Sequence, residues 1–242
     1  MATAQDSSRE GGRAIVTGSA SGIGAACASL FVQKGWVVLG VDRADQSSEL
    51  PYTLQGDLRD ESTISQVLAA VGEWPCIDAV VNCAAVVNES EPWSLSTEEW
   101  LDVYHVNVVA SYNLVRALLP LLERSEGPSI VNIASIAGQR SGAFSSPCYA
   151  ASKAAMIALS RSMARLLADR HIRVNCVNPG ITDTEMIGHW SEERMRDATA
   201  PIPLHRAAMP SEVAEAIYFL ASGSASYITG AQLDVNGGLH MA

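Results

Sequence analysis

No stretch of this chain is apolar for long enough to cross a bilayer as a helix. Charge is sparse, at 17% of residues, and leans negative: 16 Lys and Arg against 26 Asp and Glu, a formal net charge of −10. That balance argues against nucleic acid and against an anionic membrane as partners. Cysteine is scarce and scattered. Cys27, Cys76, Cys83, Cys148 and Cys176 form no C-x-x-C pair, and their odd number reads as reduced thiols in a cytoplasmic chain rather than a disulfide framework. The five histidines include no H-x-x-x-H pair, so a metal site is not expected. No internal repeat, low-complexity block or long Pro/Gly/Ser linker divides the chain. The polar stretch 1–12 carries both charge signs and reads as a flexible leader, neither a signal nor a transit peptide.

What is there is ample apolar material, 48% of 242 residues, enough for one large domain that buries roughly 70% of its unfolded surface. Short apolar runs at 14–17, 36–41, 52–55, 77–82, 129–134, 172–178 and 232–235 alternate with helical patterns near 22–34, 62–72, 97–122, 149–169 and 211–221. Several of the runs are almost continuously apolar, as strands are when helices cover both faces of a parallel sheet. Ser96 with Glu99 forms a capping-box pattern, and Ser211 with Glu212 is expected to open the last helix in a similar way. Strand–helix alternation over residues 13–242 predicts a single-domain α/β fold of about seven parallel strands, doubly wound with helices on both faces. In such a sheet ligands gather at the carboxyl ends of the strands.

The first strand runs into Thr17-Gly18-Ser19-Ala20-Ser21-Gly22-Ile23-Gly24, and a helix follows. Glycines at 18, 22 and 24 allow a tight turn with close backbone approach, and the helix N-terminus offers free N–H groups to a pyrophosphate. A glycine-rich string alone is weak evidence. Between a strand and a helix it points to a Rossmann-type nucleotide site involving Ser21 and Ile23 as well as the glycines. Asp42, ending the second strand 18 residues beyond Gly24, can accept hydrogen bonds from an adenosine ribose and would repel a 2′-phosphate. Arg43 could instead hold that phosphate, but the glycine loop supplies no second basic residue, so NAD is favoured over NADP.

Tyr149 and Lys153 stand one helical turn apart in Tyr-Ala-Ala-Ser-Lys, on the same face. Lowering a phenol from about 10 to about 7 requires roughly 4 kcal/mol. One unit charge at about 4 Å supplies that order of energy at an effective dielectric near 20. Such a pair is a plausible proton-transfer device, although Tyr and Lys at this spacing also occur as ordinary solvated helical neighbours.

Taken together, these residues resemble the short-chain dehydrogenase/reductase family over essentially the whole chain after the leader. The T-G-x-x-x-G-x-G loop is Thr17 to Gly24 and the Y-x-x-x-K pair is Tyr149 and Lys153. Ser135 matches the family serine after the fifth strand, and Asn107 the asparagine of the fourth helix. Asn178-Pro179-Gly180, with Thr182 and Thr184 beyond, matches the family's N-P-G segment near the nicotinamide. Gly56-Asp57-Leu58 looks like its adenine-contacting turn. Asn82-Cys83-Ala84-Ala85 departs from the usual Asn-Asn-Ala-Gly, and Ser135 lies 14 residues before Tyr149, wider than the common spacing.

The resemblance implies hydride transfer between a nicotinamide and a secondary alcohol or ketone. Tyr149 would act as general acid/base and Ser135 would fix the substrate oxygen. Lys153 would lower the tyrosine pKa and hold the ribose, and Asn107 would anchor a relay water. It also implies a homotetramer built through the fourth and fifth helices and the C-terminal region. Ile136, Gln139, Cys148, Asn88, Trp93, Met186, Ile187, Trp190 and Met195 stand in the segments that usually contact substrate, and their mostly apolar character favours a hydrophobic or cyclic substrate. Residues 183–209 read as a substrate lid. A non-catalytic nucleotide sensor would be expected to lack Tyr149 or Lys153, and a halohydrin-dehalogenase-like lyase to lack the glycine loop.

Overall fold

The computed structural model describes residues 11–46, 50–88, 91–140 and 146–241 of the 242. Most of the expected leader, 1–10, therefore lies outside the described residues. One seven-stranded sheet runs in the order β3-β2-β1-β4-β5-β6-β7, with every pairing parallel. The strands are β1 (Arg13–Thr17), β2 (Val37–Asp42), β3 (Tyr52–Gln55), β4 (Ala79–Asn82), β5 (Ser129–Ile133), β6 (Arg173–Pro179) and β7 (Gln232–Val235). The helices are α1 (Gly22–Gln33), α2 (Glu61–Ala70), α3 (Thr97–Tyr104), α4 (Ser111–Leu122), α5 (Pro147–Leu167), α6 (Glu192–Thr199) and α7 (Pro210–Ala221). All seven strands and the five helical stretches expected from the pattern are present, with ends shifted by a residue or two. Strand order reverses between β1 and β4, which opens the ligand crevice at the carboxyl edge.

Alternation along β1 divides the core. Ile15 joins Leu114, Leu118 and Leu122 of α4 and Leu167 of α5 on one face. Ala14 and Val16 join Phe31 of α1 and Ile217 of α7 on the other. Both faces are dry, which explains why the strands read as continuous apolar runs instead of alternating ones. Among the described residues no helix is long and apolar enough to cross a membrane.

Two local readings are corrected. The stretch 97–122 is interrupted: His105–Ala110 adopts a wide π-helical turn between α3 and α4. Helix α7 begins at Pro210, not at Ser211. Met209 occupies its N-cap, and the Glu212 carboxylate accepts from the Met209 N–H at 2.8 Å. Within 183–209 an eight-residue helix, α6, forms behind a Ser191 cap that accepts from the Arg194 N–H at 3.2 Å. The Ser96–Glu99 capping box is present in both directions, at 3.2 and 2.7 Å.

Candidate active site

The turn after β1 supplies the first wall. Gly18 adopts φ +69°, and a Cβ there would stand 2.8 Å from the Ala84 nitrogen. At Gly24 a Cβ would meet the Gly18 carbonyl oxygen at 1.9 Å, so α1 packs onto the loop only because that residue is glycine. Thr17 Oγ1 accepts from the Cys83 and Ala84 N–H groups, each at 3.1 Å, which fixes the segment after β4 beside the glycine loop. Ser21 is the N-cap of α1, and its carbonyl takes the Ala25 N–H at 3.0 Å. The amides of the preceding turn, Ile23 included, have no intrahelical partner by geometry.

A cavity of about 540 Å³ opens there, lined by Ala20, Ser21, Gly22, Asp183, Thr184 and Glu185 among others. Thr184 reaches across it: its methyl carbon would lie 3.1 Å from a Cβ on Gly22. Thr184 follows from the end of β6, where the Gly180 N–H donates to Val235 and Thr182 Oγ1 to the Gly180 carbonyl at 3.2 Å. Pro179 closes the strand. Residues 181 to 183 pair with Ala208, so the segment expected to be a lid leaves and returns at one point.

At the far side of the crevice, Asp42 receives two backbone N–H groups, Ala20 at 3.0 Å and Ala44 at 2.9 Å. Asp57 is gripped by the Arg59 guanidinium, which holds its carboxyl below the usual range, and Arg59 also reaches Asp102 of α3. Leu58 is buried in the core beneath. Asn82 donates to Asn132 Oδ1 at 2.7 Å, while its own Oδ1 is buried without a partner. The free amides at α1, the cradle a Cβ would fill and this orphaned acceptor all suit a dinucleotide. Gly18, Ser21, Gly22, Ile23, Gly24, Asp42, Asp57, Leu58, Asn82, Ala84, Pro179, Gly180, Thr182 and Thr184 are thus brought to one edge of the sheet.

Ser135, Tyr149 and Lys153 meet at the carboxyl end of β5. Ser135 caps a 3₁₀ turn, its Oγ accepting from the Ala137 N–H at 3.1 Å, and its side chain stands beside the Tyr149 phenol despite the wide spacing in sequence. The expected lowering of the tyrosine pKa is overturned. Burial pushes the phenol above its ordinary value, with the Ser135 hydroxyl opposing. Lys153 does not reach the hydroxyl. Its ammonium lies 5.6 Å from the centre of the Tyr149 ring and donates to the Ile133 carbonyl at 2.8 Å. Only 2% exposed, it is itself pushed down to about 8 by burial.

Asn107 is held through both ends of its side-chain amide. Its Oδ1 accepts from the Val86 N–H at 2.8 Å, and its amide donates to the Val86 carbonyl and to Ser152 Oγ, both at 3.0 Å. Both amide hydrogens are committed, so a relay water would be anchored by an acceptor of this residue and not by its NH₂ group. It ties the segment after β4 to α5. Ser152 continues the chain by donating to the Tyr149 carbonyl at 2.7 Å. Ser152 escaped the sequence reading, although its place three residues after Tyr149 on the buried helix face is the signal for such a back-bond. Of the expected substrate contacts, Trp93 points to solvent, 94% exposed, and Cys148 is fully buried. Asn88 donates to Glu99 at 2.8 Å.

A switch-point crevice with a glycine cradle on one side and a serine–tyrosine–lysine cluster on the other is the site of a doubly wound dinucleotide-binding protein. A family model described as enoyl-(acyl carrier protein) reductase matches residues 18–240. The chain is 34% identical over 241 residues to the 3-oxoacyl-(acyl-carrier-protein) reductase FabG of Vibrio cholerae, covering 96% of this chain and 98% of that one. It is 37% identical to protein FixR of Bradyrhizobium diazoefficiens, over 94% of this chain and 86% of that one. Among solved structures, the ligand-free aldohexose dehydrogenase of Thermoplasma acidophilum superposes with a TM-score of 0.88 at 31% identity, covering 95% and 94% of the two chains. A putative NAD(P)-dependent gluconate 5-dehydrogenase from Beutenbergia cavernae, solved with NADP, gives 0.88 at 32% identity, covering 96% and 98%. The chain belongs to the short-chain dehydrogenase/reductase family.

Proposed function

We propose that this protein is an NAD(H)-dependent oxidoreductase acting on a hydrophobic or cyclic secondary alcohol or its ketone. The observation that carries the reading is the gathering of Ser135, Tyr149 and a buried Lys153, its ammonium 5.6 Å from the tyrosine ring centre, at the same carboxyl edge of the sheet as the glycine cradle. The nicotinamide, when bound, supplies or accepts the hydride. Tyr149 exchanges the proton with the substrate oxygen. Because burial favours the neutral phenol, it is better suited at neutral pH to donating, the direction of ketone reduction. Ser135 holds the same oxygen so that the carbon presents one face. Lys153, stacked on the tyrosine ring, keeps a positive charge beside any phenolate that forms.

Asp42 supports NAD over NADP, since a carboxylate at the end of β2 repels a 2′-phosphate. A second reading, an NADP(H)-dependent carbonyl reductase, is favoured by the exposed Arg43 at the next position and by the NADP found in the Beutenbergia structure. The 3-oxoacyl group in the name of the Vibrio relative also carries a ketone that this cluster would reduce. A homotetramer fits the exposed apolar residues on α3, the π-helical turn, α4 and α5. A reducing, cytoplasmic setting fits five free thiols.

The test is nicotinamide absorbance with secondary alcohols, ketones and 3-oxoacyl thioesters, each with both cofactors, for the wild-type enzyme and Tyr149→Phe. Turnover with NAD(H) is expected, reduced about 10²–10⁴-fold in the variant while cofactor affinity changes little. Turnover with NADP(H) alone overturns the cofactor reading, and an active Tyr149→Phe overturns the acid/base role.

A further inference from the structure

Gln46 lies four residues past Asp42 on the segment leaving β2, and its side-chain amide joins three separate elements. Its Nε2 donates to the Gly40 carbonyl of β2 at 3.3 Å and to the Leu54 carbonyl of β3 at 3.0 Å. Its Oε1 accepts from Ser19 Oγ of the glycine loop at 2.5 Å. Gly40 makes room for this crossing: a Cβ there would stand 2.5 Å from Gln46 Oε1 and 2.7 Å from Ser19 Oγ.

Two carbonyl acceptors fix which way round the amide sits, because only the NH₂ end can face them. The Oε1 end must therefore face Ser19. The serine, 2% exposed, has one proton and directs it to Gln46. Its oxygen is left as an acceptor only. Two steps away, the Asp42 carboxylate is also an acceptor only, held by Ala20 of the same loop. The carboxylate thus offers acceptors at this rim, and the serine buried beside it, its proton committed to Gln46, adds no donor. A ribose 2′-hydroxyl can donate to the carboxylate, and a 2′-phosphate, which needs donors, cannot be matched.

We propose that Gln46 is a specificity-determining positioning residue, which sets the discrimination between NAD and NADP by holding the Ser19 proton away from the cofactor. The proposal deepens the NAD(H) reading above and rests on it for its direction. Without the amide, Ser19 is free to donate outward, and the segment joining β2 to β3 loses its tie to the glycine loop.

The experiment measures NAD⁺ and NADP⁺ dissociation constants by isothermal titration calorimetry in wild type, Gln46→Met, Ser19→Ala and the double variant. Gln46→Met keeps the side-chain length, and Gln46→Asn, one methylene too short for the crossing, serves as a second variant expected to act in the same direction. Removing the amide should lower the ratio of the NADP to the NAD constant about tenfold, the effect of one hydrogen bond to a charged group. In the Ser19→Ala background the same change should move the ratio less than about twofold, since the hydroxyl through which Gln46 acts is gone. A ratio unaltered in Gln46→Met and Gln46→Asn, or an equal fall with Ser19 absent, overturns the proposal. The wild-type ratio tests the NAD reading separately: a value below one refutes that reading, while the coupling of Gln46 to Ser19 is judged on the change between variants.

Discussion

Lys153 shows how burial decides a residue's behaviour. The ammonium is the form that burial disfavours, so folding lowers its pKa from 10.5 to about 8. Below that pH the lysine is charged in the folded and the unfolded chain alike, and the desolvation cost is carried in full. As pH rises through about 8 the folded protein loses the proton and the cost fades, so this residue adds stability toward alkaline pH and withdraws it as pH falls. Lys153→Met should therefore melt at a higher temperature than wild type at pH 6 to 7, by at most about 3 kcal/mol, while losing turnover. The gap should narrow above pH 8, as scanning calorimetry across that range would show. A gap constant with pH would rule out the buried charge as its cause. The sequence placed Tyr149 and Lys153 on one helix face, because that follows from spacing alone. It did not show the direction of their pKa shifts, because these depend on burial in the folded chain and on the Ile133 carbonyl, which takes the ammonium from a strand 20 residues earlier.

At the scale of elements, the central strands were legible because both sheet faces are dry there, which writes β1, β2 and β4 as nearly unbroken apolar runs. The π-helical turn at His105–Ala110 was not, because the residues flanking it carry an ordinary helical pattern. What holds the turn's neighbourhood is a long-range contact: Asn107 bonds both backbone groups of Val86 and the hydroxyl of Ser152. Ser152 passes the constraint to the Tyr149 carbonyl, so Asn107 positions the catalytic helix against the segment after β4. Asn107→Ala would leave the Val86 N–H and carbonyl without partners. The expected loss is about 3 kcal/mol, a fall in melting temperature of roughly 6–12 °C for a chain of this size. Turnover should fall more than cofactor affinity, because the glycine cradle is held independently through Thr17. A variant that melts as wild type would show that the segment after β4 is fixed by other contacts.

Over the whole molecule, one set of exposed apolar side chains falls on neighbouring helices. Leu101 of α3, Val109 of the π-helical turn, Tyr112 of α4 and Leu166 of α5 are 65%, 43%, 45% and 72% exposed. The wider π register brings Val109 nearly into line with Leu101, and all four residues stand on helices that pack together on one face of the sheet. Leu204 and Met241 lie exposed beside Gly237 and Gly238 of the C-terminal segment, which is itself tied to Arg140 by the guanidinium donating to the Leu239 carbonyl at 2.6 Å. Two such areas on one chain are what a closed tetramer with two kinds of two-fold contact would use, and the first lies on the elements that carry Asn107 and Tyr149. Self-association would then dry the backs of the catalytic helices and couple assembly to activity. Light scattering should find a tetramer for the wild type and a smaller species for Val109→Glu and for Leu166→Glu, each of which places a carboxylate in the apolar contact. Turnover per chain should fall with assembly, while the calorimetric affinity for NAD, set at the opposite edge of the crevice, stays within about threefold because the cradle is built from one chain. A monomeric wild type, or tetramers that survive both substitutions, would refute this surface as the interface.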